Sequence, residues 1–108
     1  MKKLKGYQKK YLKGLAHRLK PVVLIGQKGM TPSVVNALNA ALDQHELIKV
    51  KFNDIKEKEK KQALAGTIET DTASGLVGMI GHTAIFYRRH KIPEKRKILV
   101  PERQPSSP

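Results

Sequence analysis

The spacing of apolar residues changes repeatedly along this chain, and a Pro or Gly stands at most of the changes. From Leu4 to Leu19 the apolar residues Leu4, Tyr7, Tyr11, Leu12, Leu15, Ala16 and Leu19 recur at helical intervals. Pro21 stops that pattern, and Val22-Val23-Leu24-Ile25 reads as a short buried strand. Gly26-Gln27-Lys28-Gly29 follows. Thr31 then suits an N-cap, since its hydroxyl can accept from a first-turn amide, and Pro32 suits the first helical position, where no amide hydrogen is needed. The helix predicted from there gathers Val34, Val35, Leu38, Ala41, Leu42 and His45 on one face. Residues 46–52, ELIKVKF, alternate Ile48, Val50 and Phe52 against Leu47, Lys49 and Lys51, as a half-buried strand does. Lys-Glu mixing at 56–61 and the pair Leu64 and Ile68 predict a third helix within 54–75, although Gly66 in its interior costs about 1 kcal/mol relative to Ala. Gly75 is its expected stop. Residues 76–81 and 84–89 read as two strands around His82-Thr83. The expected order is α-β-α-β-α-β-β, an α/β (α+β) fold.

A chain of 108 residues supports one compact domain. Its 39% hydrophobic content is enough for a packed interior, and 29% charged residues argue against a membrane protein. No run of about 18 apolar residues occurs, and no apolar stretch follows the basic N-terminus as a secretory signal requires. An organelle transit peptide is rich in Arg and Ser, whereas Ser is absent here before Ser33. The absence of cysteine removes disulfides and thiolate metal sites and fits a reducing compartment. The expected protein is therefore a cytoplasmic monomer. Its domain spans 1–97, and residues 98–108, ending in PERQPSSP, form a basic, Pro/Ser-rich disordered tail.

The net charge of +13 is unevenly placed. Residues 1–20 hold eight Lys/Arg and no acid; residues 21–87 hold seven of each sign; residues 88–108 hold seven basic residues and two acidic ones. The first acid of the chain is Asp43. Charge that serves only solubility need not segregate in this way, whereas charge that meets a polyanion usually does. On a helical wheel Lys2, Lys5, Lys9, Lys13 and Lys20 fall within an arc of about 80°, opposite the apolar stripe. A solvated lysine face would look the same.

Two Gly-x-x-Gly tetrads occur, and they differ. Gly78-Met79-Ile80-Gly81 has apolar inner residues within a strand pattern, so it reads as close backbone packing and a turn, with Met79 and Ile80 in the core. Gly26-Gln27-Lys28-Gly29 has polar and basic inner residues between a strand and a helix start. Without side chains at Gly26 and Gly29 a phosphate can approach the backbone, loop amides and the helix end can donate to it, and Lys28 adds charge. The plainer alternative is an ordinary strand-to-helix turn. Neither G-x-x-x-x-G-K-[ST] nor G-x-G-x-x-G is present, which argues against a nucleotide site. His17, His45, His82 and His90 show no metal-ligand spacing, so no metal or other cofactor is expected. No Ser-His-acid pattern nominates an active site, and the expected protein is not an enzyme. Of five aromatics, Tyr7, Tyr11, Phe52, Phe86 and Tyr87, four lie on inferred apolar faces, which leaves little for base stacking.

The run LAHRLKPVVLIGQKGMTPSVVNALNAALDQHELIKVKF and the later GLVGMIGHTAIFYRR resemble the CRM domain, named for chloroplast RNA splicing and ribosome maturation. The likeness is closest to the stand-alone bacterial YhbY-like proteins and covers residues 4–90 or so. It implies a mixed four-stranded sheet flanked by three helices, similar to the C-terminal domain of bacterial translation initiation factor three. It also implies RNA as partner, specifically precursors of the large ribosomal subunit, with no membrane and no small molecule. Carried over by position, the RNA-binding loop is Gly26, Gln27, Lys28 and Gly29. The basic surface beside it would hold the first-helix lysines and Arg88, with Arg89 adjoining. Gln27 stands where the family often has a second basic residue, which lowers the loop's charge but keeps its backbone donors. A KH domain is a rival, because VLIGQKGMT also looks like a KH loop, though such a loop joins two helices. A structural ribosomal protein is a second alternative, and an enzyme acting on RNA a third.

Overall fold

The computed structural model describes residues 3–102. Its elements follow the expected order: α1 (Gly6–Ala16), β1 (Pro21–Ile25), α2 (Pro32–His45), β2 (Leu47–Phe52), α3 (Lys58–Thr72), β3 (Gly75–Ile80) and β4 (Thr83–Tyr87), then a short 3-10 turn at Pro93–Lys95. The four strands form one mixed sheet in the order β1-β2-β4-β3. β1 and β2 run parallel, joined by α2 as a crossover, while β4 is antiparallel to both β2 and β3.

The sheet separates two cores. On one face α2 and α3 pack over Val23, Ile25, Ile48, Val50, Phe52, Ala84 and Phe86, contributing Leu38, Leu42, Ala65 and Ile68. On the other, α1 places Leu12 and Ala16 against Leu47, Val77, Ile85 and Tyr87. The strand period of two sends Ile48, Val50 and Phe52 to the first core, and leaves Lys49 and Lys51 on the α1 side with Leu47.

Local chemistry explains most boundaries. The Thr31 hydroxyl accepts from the Val34 amide at 3.2 Å, and Pro32 opens α2. Gly81 (φ 59) and His82 make the two-residue turn between β3 and β4, with glycine at the first turn position where the chain needs positive φ. Helix α3 ends at Ala73 in a left-handed conformation, and Gly75, the expected stop, is instead the first residue of β3. A bulge sets Val77 and Gly78 together opposite Ile85, so Leu76 and Met79 face the first core. Ile80, expected in the core, is 69% exposed, because the bulge and the strand end carry it past α1.

Two further expectations are corrected. The buried stripe of α1 is Leu12 and Ala16 alone; Tyr11 and Leu15 are 42% exposed and Leu19 39%. The lysine arc therefore flanks the buried stripe instead of opposing it. The domain also does not end at Lys97. Ile98 and Val100 pack on the second core, and the carbonyls of Pro101 and Glu102 accept from Gln8 Nε2 at 3.0 Å and the Tyr7 hydroxyl at 2.6 Å. The rest of the expected tail, 103–108, lies outside the described residues, as does Lys2.

Glu46 organises that C-terminal stretch. It sits between α2 and β2 with φ 63, buried to 1% exposure. Its carboxylate accepts from the backbone amides of His90, Lys97 and Ile98, at 2.8, 2.5 and 3.0 Å. The sequence pattern places Glu46 at the wrong end of α2 for the helix dipole; the three amide donors are the reason it is tolerated there.

Candidate nucleic-acid interface

The Gly26–Gly29 loop leaves the end of β1 beside the end of β2 and the start of β4. The Asn53 amide donates to the Ile25 carbonyl and the Phe52 amide to the His82 carbonyl, each at 2.8 Å, so the loop, the β2–α3 link and the β3–β4 turn share one end of the sheet. The loop closes as a turn: the Gly29 amide donates to the Gly26 carbonyl at 3.0 Å, and Thr31 donates to Gly29. Gly29 has φ 68, which glycine adopts without a Cβ clash. The side chain of Gln27 turns back, its Nε2 donating to the Asp54 carbonyl at 3.2 Å, and so fixes the loop instead of reaching outward.

What remains outward suits an anion. Among the described residues no acceptor is found for the amides of Gln27 and Lys28. Nothing lies within 4 Å of where a Cβ on Gly26 would stand, so a ligand atom can approach the backbone there. Lys28 is exposed, and the first turn of α2 carries no acid.

The loop adjoins a half-covered sheet face. Val22 and Leu24 of β1 are 50% and 58% exposed, and they share this face with Lys49, Lys51 and Thr83. The alternation in ELIKVKF marks Lys49 and Lys51 as the solvated half of a strand. The pattern does not show that α1 covers this side only in part, leaving Lys49 half-buried and Lys51 exposed. On the same face, over the edge strand β3, the stem of Lys13 lies across Gly78: a Cβ there would stand 2.5 Å from Lys13 Cε. Lys49 Nζ donates to the His17 carbonyl at the end of α1, at 3.5 Å.

The remaining expected site residues separate. Lys9 is half-buried on α1, and Lys20 is exposed just before β1. Lys5, the N-cap of α1, and Arg89 line a cleft on the C-terminal stretch, past the end of β4 and so at the opposite end of the sheet from the loop. Arg88 does not belong to the exposed surface. Its guanidinium donates to Asn39 Oδ1 and the Thr72 carbonyl at 2.7 Å, to Asp43 Oδ1 at 2.8 Å and to the Asn39 carbonyl at 3.0 Å. It clamps α2, the end of α3 and β4 together. Its pair with Asp43 is the one ion pair among the described residues. Lys61 is likewise internal, its Nζ donating to the Gly81 carbonyl at 3.0 Å.

Among the described residues no group of three or more His, Cys, Asp or Glu side chains could hold a metal, and no helix is long and apolar enough to cross a membrane. The loop joins a strand to a helix, which separates this fold from the KH arrangement.

Residues 4–88 match the CRS1 / YhbY (CRM) domain. The chain belongs to that family. Among its relatives is an RNA-binding protein of Haemophilus influenzae, 42% identical over 89% of this chain and 93% of that one. A protein of Pseudomonas aeruginosa, named a probable RNA-binding protein, is 40% identical over 82% of this chain and 84% of its own length. The solution structure of a Staphylococcus aureus protein, described as an RNA-binding candidate, superposes with a TM-score of 0.76 at 34% identity, covering 91% of this chain and 99% of that one. The CRM fold, three helices on a four-stranded mixed sheet, is thus shared with a solved relative.

Proposed function

We propose that this CRM-domain protein binds RNA through its phosphate backbone, with no catalytic step. Gly26, Gln27, Lys28 and Gly29 form the primary contact, and Lys13, Lys49 and Lys51 extend it across the sheet. The observation that carries the reading is the loop itself: open space at Gly26, the amides of Gln27 and Lys28 with no acceptor among the described residues, and an exposed Lys28 beside a sheet face that carries Lys49 and Lys51. The names of the relatives point the same way. The RNA is that of large-ribosomal-subunit precursors, a reading that rests on the CRM resemblance.

The test separates loop from fold. Gly26→Ala adds a Cβ into open space at a φ that L-residues accept, so it leaves melting unchanged while blocking close approach. Gln27→Asp/Lys28→Asp sets carboxylates where phosphate would stand. Both variants are expected to stay folded and lose RNA affinity by tenfold or more, on the order of one lost charge-assisted contact. For wild type, neutralising about four to six phosphates gives a log–log salt slope near −3 to −5 on single-stranded RNA. Wild-type binding by both variants would reduce the loop to a turn. Gradient sedimentation separates the ribosomal readings: co-migration with large-subunit intermediates is expected, and permanent residence on mature ribosomes would favour a structural ribosomal protein.

A further inference from the structure

We propose that the protein carries a second RNA-phosphate site, at the opposite end of the sheet from the glycine loop, in the cleft between the start of α1 and the C-terminal stretch. The cleft holds about 930 Å³ and is lined by Lys3, Lys5, Arg89, Arg96 and Lys97, with Glu102 its one acid. This inference rests on the RNA-binding reading above and extends it from one contact to two.

The cleft is built, and does not arise from loose side chains that happen to be near one another. The Glu46 carboxylate holds the amides of His90, Lys97 and Ile98 from below, so residues 96 and 97 are set at fixed positions over the sheet. Arg96 is oriented further by its Nε, which donates to the His90 carbonyl at 2.9 Å. Its terminal nitrogens have no protein acceptor among the described residues. The opposite wall is fixed as well. Gln8 and Tyr7 of α1 donate to the carbonyls of Pro101 and Glu102, and the Lys5 amide donates to Gln8 Oε1 at 2.9 Å. Five cations thus face one space, none of them in an ion pair among the described residues. Like charges held together repel, and a phosphate chain is the ligand that relieves the repulsion.

The position of the cleft sets the kind of RNA. β2 alone has five residue steps of about 3.3 Å, so loop and cleft stand roughly 17 Å or more apart. No single phosphate reaches both. An RNA strand of several nucleotides does, passing over the partly covered sheet face.

The measurement uses the full chain and an oligouridine of about 20 nucleotides, long enough for both sites. Lys5→Gln/Arg89→Gln/Lys97→Gln removes three cleft cations and spares Arg96, which holds the C-terminal stretch. Lys10→Gln/Lys91→Gln/Lys95→Gln is the charge-matched control, since these exposed residues lie outside the cleft. The cleft variant is expected to weaken binding about tenfold and to flatten the salt slope by about 2, three contacts at roughly 0.7 each. The control should change both by less than half as much. Bound oligouridine should also protect Lys3, Lys5 and Lys97 from acetylation in the wild-type chain, a readout independent of variant folding. A cleft variant that matches the control, or no protection of those lysines, overturns the second site. Silent loop variants beside a weakened cleft variant would instead sink the loop reading and leave the cleft standing.

Discussion

Replacing Glu46 by Ala should destabilise the domain by about 3 kcal/mol. The carboxylate accepts three backbone amides while buried to 1% exposure, and Ala offers none of them a partner. If the C-terminal stretch stayed in place, three orphaned donors at about 1–3 kcal/mol each would be left. The stretch lies at the surface, so it will release and hydrate those amides, and the cost falls to the lost packing of Ile98 and Val100 plus the lost anchor. Three kcal/mol lowers the melting temperature of a domain this size by roughly 12–24 °C. Glu46→Gly separates two causes. It loses the same acceptors but relieves the φ of 63, so it should melt above the Ala variant by an amount worth about 1 kcal/mol. Thermal melting with amide hydrogen exchange reads both effects: the amides of Lys97 and Ile98 should exchange fast in either variant while β2 and β4 keep their protection. An Ala variant melting within about 3 °C of wild type, with slow exchange at those amides, would refute the reasoning.

Gly78→Ala should leave the melting temperature unchanged but weaken RNA binding. Its Cβ meets only the movable end of Lys13, which must leave the sheet face; a variant that binds RNA like wild type would remove Lys13 from the interface. Deleting residues 98–108 should lower the melting temperature by several degrees through the exposed second core, whereas deletion from Arg103 onward removes no described contact; equal melting of both truncations would show that Ile98 and Val100 add nothing. Burial, and secondarily the nearby Glu46 carboxylate, raises the Tyr87 hydroxyl above the ordinary value of 10.0, with Arg89 and Arg96 opposing. A raised value in the fold keeps its stabilisation intact below about pH 10 and loses it as the pH climbs further, so denaturation midpoints should fall above pH 10 and fall less in Tyr87→Phe.

The sequence by itself determined the order of elements, the placement of the glycine loop between β1 and α2, and the charge segregation. Each of these is local: Pro32 opens α2 and Thr31 caps it within three residues, and the alternation in ELIKVKF fixes β2, whereas α1 ends at Ala16, short of the Pro21 that the sequence pattern offers as its stop. Periodicity also showed that α1 is amphipathic, yet not which arc is buried. That arc depends on the sheet beneath it, where Leu12 and Ala16 meet Leu47, Val77, Ile85 and Tyr87. The roles of Arg88 and Glu46 were illegible for the same reason. Arg88 finds its partners 16 to 49 positions away and Glu46 finds donors 44 to 52 positions away, and no local pattern encodes contacts at such separation. A basic residue beside a basic loop in sequence terms is therefore not a residue of its surface. Tertiary packing alone decided which cations stay in water, because only the assembled sheet brings distant carbonyls and carboxylates within hydrogen-bonding reach of some of them and leaves the rest unpaired.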